Sequence, residues 1–341
     1  MTGFSDAAAA VAERYERFAR EEAPGRSELY ADWASGVAGD AVVAATLARI
    51  PANRRQPPLV FAVTRMLGAP LRPFGEWAAW LAEHADEVVA ECTARSVQTN
   101  EPLRCAALLP ALSLIDGPIA LLEVGASAGL CLYPDRYGYR YTGSGGALVV
   151  DPVDDPSPLV LQTALRGEAR PPLRMPDVVW RAGIDLQPLD ARVARDRAWL
   201  RGLVWPGESG REQRIEAALD VAAADPPHLV AGNAPEVLPE VAAAVRSAAP
   251  RGATLVITTP GVLAHIPRAG RERVIALARE CGDAWITLDA PGLHESWDAP
   301  TDASTWPAGG FALALDGRIL AAADPLGRWL EWRAGDAASA P

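Results

Sequence analysis

Glu123, Gly125, Ser127 and Gly129 alternate with small apolar residues in LLEVGASAGL, directly after an apolar run of strand length. Glycines in that position let backbone come close to a ligand and leave amide N–H groups at a helix start free to hold it. An acid ending the strand suits a hydroxyl or an ammonium group. The same letters fit two chemistries. As Glu-x-Gly-x-Ser-x-Gly they form a nucleotide-binding loop with Ser127 in place of the middle glycine. As Gly-x-Ser-x-Gly they form a strand-to-helix turn presenting Ser127 as a nucleophile. A tight turn with a purely structural role satisfies the letters as well.

Other residues extend the nucleotide pattern. Asp185, in Gly183-Ile184-Asp185-Leu186, is placed to accept from a ribose, although it lies 56 residues beyond Gly129. Asp151 lies 22 beyond and is its rival, because dinucleotide loops keep that acid about 20 residues on. Asp185 is preferred if 134–176 is an insertion. Asn233, in Ala231-Gly232-Asn233-Ala234, sits in a third turn where an acid is usual. His265, shortly after VITTPGVLA, is a candidate general base, as is His294 beyond the fifth predicted strand. Asp135 and Tyr137 follow the loop closely, so they either contact substrate or cap a shortened helix. Trp205, Arg211 and Arg214 could close over a planar or anionic substrate, though a solvated helix face explains the arginines as well.

Hydrolysis at Ser127 would need His265 or His294 with Asp283 or Asp289 to complete a triad. It would also need several strands before the serine and an oxyanion segment upstream. Helical periodicity occupies the chain before residue 115 instead.

The elements that must hold these groups follow from pattern. From residue 6 to about 115 the apolar residues recur at helical spacing, as in Val11, Tyr15, Phe18 and in Trp77, Trp80, Leu81, Val88, Cys92. Start signals at Asp40, Pro73 and Asn100-Glu101-Pro102 imply roughly six helices. After Gly117-Pro118 come short apolar runs at 119–124, 177–186, 227–233, 253–259 and 283–289. Helical stretches separate most of them, which predicts a parallel sheet with right-handed crossovers. FALAL, Asp316-Gly317 and RILAAA predict a closing antiparallel hairpin. At 341 residues two lobes are expected, 1–116 and 117–341, with insertions at about 134–176 and 187–224.

Composition narrows the partners. A net charge of −11 with no basic stripe argues against nucleic acid. Cys92, Cys105, Cys131 and Cys281 lack the spacing of a zinc site and read as reduced thiols, so no metal is expected. No run of 18 apolar residues and no secretory leader pattern occurs, so a cytoplasmic protein with a small-molecule substrate and no membrane partner is expected, with a homo- or heterodimer allowed.

The segments LLEVGASAGLCLYPDRYGYRY, VVWRAGIDLQPLD, WLRGLVWP and DPLGRWLEW resemble the bacterial domain-of-unknown-function family 2332 over nearly the whole chain. The loop and the later turns resemble those of class I S-adenosylmethionine-dependent methyltransferases. That resemblance implies an α/β, Rossmann-like methyltransferase sheet, mostly parallel with an antiparallel C-terminal hairpin, behind an all-helical N-terminal region. It implies S-adenosylmethionine held by Glu123, Gly125, Ser127, Gly129, Asp185 and Asn233. His265, Asp135 and Tyr137 are the catalytic candidates of a transferase of small-molecule metabolism. The alternatives are the same fold with its cofactor lost and its pocket reused for cyclisation or elimination, a serine hydrolase, and a non-catalytic binding protein.

Overall fold

Among the described residues six α-helices precede the first strand, in line with the roughly six that the periodicity predicts: α1 (Thr2–Glu21), α2 (Glu28–Gly39), α3 (Ala41–Leu47), α4 (Pro57–Met66), α5 (Phe74–Ala94) and α6 (Arg104–Leu112). The computed structural model describes residues 2–153, 156–293, 297 and 304–334. Asp40 begins α3 as expected, its carboxylate accepting from the Val42 and Val43 amides and so satisfying two of the free donors of the first turn. No helix among the described residues is long and apolar enough to cross a membrane.

Two compact units are formed, and their boundary is not the one read from the sequence. The first joins the residues up to Thr99 with Arg192–Glu216; the second joins Asn100–Ala191 with the residues from Ala217 onward. Helix α6 therefore belongs to the second unit. The segment after residue 191 returns to the first, contributing α7 (Ala194–Gly202). Gly202 makes that return possible, since a Cβ there would stand 2.7 Å from the Ala62 carbonyl oxygen of α4. The core of the first unit is aromatic: Trp33 stacks on Trp77 at 5.1 Å, and Phe61 meets Trp77 edge-on at 5.6 Å. Trp205 packs on Phe18 at 5.3 Å, and the Arg26 guanidinium lies over its ring at 3.7 Å. It is core here, which accounts for it without a substrate, and Arg211 is paired with Glu208 at 2.6 Å.

The second unit is built on one eleven-stranded sheet. Its strands are β1 (Pro118–Val124), β2 (Gly138–Gly143), β3 (Gly146–Val150), β4 (Val160–Arg166), β5 (Asp177–Asp185), β6 (His228–Ala231), β7 (Thr254–Pro260), β8 (Ala284–Asp289), β9 (Phe311–Leu315), β10 (Arg318–Ala323) and β11 (Trp329–Trp332). Their order is β3-β2-β4-β11-β10-β9-β8-β7-β1-β5-β6. Helix α8 (Arg211–Ala224) leads into β6, while α9 (Ala234–Ala248) and α10 (Arg268–Cys281) are the crossovers to β7 and β8. The five predicted strands are all present, and they are mutually parallel in the order β6-β5-β1-β7-β8. The predicted hairpin β9–β10 also forms, with Asp316 at φ 53° and Gly317 at φ 92°, the two left-handed residues of a tight two-residue turn.

The stretch 134–176 is more than an insertion. It supplies β2, β3 and β4, which join the same sheet, β4 pairing in parallel with β11. Among the described residues no α-helix lies between β1 and β5, where the nucleotide pattern places one. A three-residue 3-10 turn, Leu130–Leu132, stands there instead. Beyond its first residue β1 is buried on both faces, as its continuous apolar run requires. Ala120, Leu122 and Val124 pack with residues of α9 and α10 such as Leu238, Val245 and Leu277. By strand alternation Glu123 belongs to the other face.

Candidate functional site

Strand order reverses between β1 and β7, and in open α/β sheets the crevice beyond the strand ends at such a place is where ligands bind. The turn Gly125–Gly129 leaves β1 there. Gly129 N–H donates to the Ala126 carbonyl at 2.6 Å, closing four residues with Ser127 first of the central two. Ser127 has φ 50° and Gly125 φ 79°. Left-handed backbone suits glycine; for serine it costs about 1–2 kcal/mol.

The expectation that the loop amides grip a ligand is corrected by where they donate. Gly125 and Ala126 N–H both go to the Ile184 carbonyl, at 2.8 and 3.1 Å. Ser127 N–H goes to Asp185 Oδ2 at 2.9 Å, and Ala128 N–H to Asn100 Oδ1 at 3.4 Å. Every amide from 125 to 129 is thus spent inside the protein. The glycines too make room for protein atoms. A Cβ on Gly125 would stand 2.4 Å from Val262, and one on Gly129 would stand 2.9 Å from Pro227. No α-helix directly follows to add its dipole, so the turn offers no main-chain N–H to a phosphate.

What it leaves open is side-chain chemistry. Glu123, Ser127 and Asn100 are 4%, 4% and 6% exposed. Glu123 Oε2, Ser127 Oγ and Asn100 Nδ2 have no hydrogen-bond partner among the described residues. Leaving such atoms buried and unpaired costs about 1–3 kcal/mol each, so three around one turn call for an explanation. Burial pushes the Glu123 carboxyl well above the usual carboxylate range; Cys131 and Asp185 nearby push the same way, while Arg104 opposes them. Arg104 itself donates to the Pro325 carbonyl at 2.9 Å and the Pro260 carbonyl at 3.1 Å.

The remaining candidates separate. Asp185, half-buried at the end of β5, touches the loop, and its Oδ1 accepts from Gln187 N–H at 2.8 Å. Its rival Asp151 pairs with Arg140 at 2.7 Å and is exposed. Asn233 is exposed at the start of α9, its Nδ2 donating to Glu236 at 2.8 Å. His265 is exposed in the 3-10 turn Leu263–His265 after β7. His294 lies outside the described residues.

Tyr137 and Asp135 are placed differently from the expectation. Tyr137 is fully buried and its hydroxyl donates to the Leu130 carbonyl at 2.8 Å, so it braces the turn and has no face toward a substrate. Burial also raises its pKa well above that of an ordinary tyrosine. Asp135 accepts both guanidinium nitrogens of Arg181, at 2.7 and 2.8 Å, and Arg181 donates again to the Leu132 carbonyl at 2.9 Å. Asp135, Arg136, Asp177 and Asp225 line a cleft of about 810 Å³ at the far end of β5 from the turn. Ser127 Oγ, lacking a partner, shows no base within reach among the described residues.

Sequence reasoning missed Asn100, whose place before a buried helix looked like a helix start. Its signal was a polar pair, Asn100-Glu101, ahead of a helix with no polar face: α6 is buried along its whole length. A family model described as an uncharacterized protein conserved in bacteria, DUF2332, matches residues 12–332. No curated protein and no solved structure matches the chain.

Proposed function

The chain belongs to the bacterial family DUF2332, and from that premise we propose that it is a small-molecule enzyme of methyltransferase type, binding S-adenosylmethionine beside the turn that follows β1. One observation carries the proposal: the buried, unpartnered Glu123 Oε2, Ser127 Oγ and Asn100 Nδ2 gather at the point where strand order reverses. The parallel order β6-β5-β1-β7-β8, numbered along the chain as 3-2-1-4-5, supports it, being that of the dinucleotide-binding folds. Spent loop amides and a missing helix disfavour a pyrophosphate ligand, whereas S-adenosylmethionine carries no phosphate.

The residues present fit this group. Glu123, Ser127 and Asn100 supply donors and acceptors from β1 and its surroundings. Asp185, at the end of β5 beside the turn, would accept from a ribose hydroxyl. Asn233, at the end of the next strand, would meet the base. When bound, the cofactor supplies a sulfonium methyl that a nucleophile attacks in line, which asks the protein chiefly to align two reactants. His265, exposed at the end of β7, is the residue left to take a proton from the acceptor.

Isothermal calorimetry with S-adenosylmethionine and S-adenosylhomocysteine tests the proposal. A dissociation constant in the micromolar range, about 8 kcal/mol, is expected, with heat lost in Glu123→Ala. Absence of heat from both ligands in the folded protein would overturn it.

A second reading keeps one observation in its favour, the left-handed Ser127, since a nucleophilic serine in a Gly-x-Ser-x-Gly turn is held under backbone strain. Labelling by a fluorophosphonate that disappears in Ser127→Ala would establish it in place of methyl transfer. A copurifying ligand without a nucleoside, identified by mass spectrometry, would point instead to a pocket reused for other chemistry.

A further inference from the structure

Asn100 holds the turn with one end of its carboxamide and leaves the other end open. The Ala128 amide can only donate, which fixes the carboxamide oxygen toward the turn and makes the nitrogen the free end. That nitrogen carries two N–H donors in a side chain only 6% exposed. A structural asparagine at this depth would be expected to spend its nitrogen on a carbonyl, as Tyr137 spends its hydroxyl, because an unpaired buried donor is costly.

Around the same turn the open groups differ in kind. Asn100 Nδ2 donates only, Ser127 Oγ donates or accepts, and Glu123 Oε2 belongs to a carboxyl that can accept from a cation. Donors beside a carboxyl match a terminus bearing both a carboxylate and an ammonium. Adenine and ribose have no such pair. Arg104, the nearby cation, has its Nε and Nη1 on the Pro325 and Pro260 carbonyls, so it balances Glu123 while those two nitrogens are occupied.

We infer that Asn100 is a ligand-contacting residue that donates its Nδ2 to the carboxylate of the ligand's amino-acid end, with Glu123 facing the ammonium of that same end. This rests on the nucleoside reading above and assigns which part of the ligand the segment before α6 recognises.

The test is calorimetry of two ligands on two proteins: S-adenosylhomocysteine, and 5′-methylthioadenosine, which lacks the amino-acid end. Asn100→Asp keeps an oxygen for the Ala128 amide and replaces the donor by a second acceptor. Wild type should bind S-adenosylhomocysteine more tightly than methylthioadenosine. In Asn100→Asp the first affinity should fall at least about tenfold and the second change less than about twofold, since a hydrogen bond to a charged group is lost from one ligand only. Should that variant fail to fold, Asn100→Ala reads the same ratio. Equal losses for both ligands, or none for either, would overturn the inference while leaving the nucleoside reading intact. If wild type binds methylthioadenosine no more weakly than S-adenosylhomocysteine, the inference again fails alone. If wild type binds neither ligand, the nucleoside reading fails and takes the inference with it.

Discussion

The Asp185 carboxylate holds the Ser127 amide. Oδ2 accepts from Ser127 N–H at 2.9 Å and Oδ1 from Gln187 N–H at 2.8 Å, so the end of β5 is tied to the turn after β1. Charge-assisted bonds of this kind are worth about 1.5–3 kcal/mol each. Asp185→Ala should lower the unfolding free energy by about 2–4 kcal/mol in urea titrations without any ligand present. A variant as stable as wild type would mean that the carboxylate is kept for the ligand and does not brace the turn.

Glu123 predicts a pH dependence. Its folded-state pKa is raised, first by burial and then by Cys131 and Asp185, against the pull of Arg104. The sign follows from linkage: the unfolded chain releases this proton at lower pH than the folded one. Stability is therefore fully present below the unfolded carboxyl value near 4.3 and is lost as pH rises toward the folded one. Glu123→Gln should remove that loss, giving a higher melting temperature than wild type at pH 8 and a smaller difference at pH 5. Parallel pH profiles of the two proteins would contradict the assignment.

Ser127 stores strain at φ 50°. Ser127→Gly relieves the left-handed penalty, offset in part by glycine's greater freedom in the unfolded chain, and should stabilise by about 0.5–1 kcal/mol. Ser127→Ala keeps the strain and removes only the unpaired hydroxyl. Thermal unfolding of the two variants separates backbone from side chain, and a glycine variant less stable than the alanine one would refute the strain.

Asp135 and Arg181 form a pair whose side chains are 13% and 7% exposed. Removing the acid takes away two charged hydrogen bonds and leaves Arg181 with the Leu132 carbonyl at 2.9 Å and Asp225 at 3.5 Å, so Asp135→Ala should cost about 1.5–3 kcal/mol. Joint replacement by apolar residues of similar size should recover much of that loss. Chemical denaturation of the single and double variants checks it; a loss below about 1 kcal/mol in the single variant would rule out a structural brace.

The five parallel strands were legible because each is a short apolar run bounded by glycine or proline, and burial on both faces demands such runs. Strands β2 to β4 were not. Tyr139 and Tyr141 do alternate with Arg140 and Thr142, but glycine, proline and aspartate on either side masked the period. Four residues of β11 carry too little pattern to stand out. The return of α7 to the first unit depends on the fit of Gly202 against Ala62, which no local window contains. In the site, Glu123 and Ser127 emerged from the spacing of the glycine loop and Asp185 from its Gly-Ile-Asp-Leu setting, against a separation of 56 residues from Gly129; Asp185 was set above Asp151 by treating 134–176 as an insertion, and that stretch is folded into the same sheet. Tyr137 was drawn in by its nearness to the loop in sequence, though Tyr137, Tyr139 and Tyr141 are all buried. The fate of the loop amides was invisible, since their acceptors on Ile184, Asp185 and Asn100 lie 28 to 59 residues away.

That fate governs what solvent can report. Amides already bonded within a protein exchange their hydrogens for deuterium only when the surrounding structure opens. The stretch from Gly125 to Gly129 should hence be slow to take up label before any small molecule arrives. A footprint sought there would stay blank even for a tight binder, and occupancy would be visible only where side chains, or backbone elsewhere in the fold, change their surroundings.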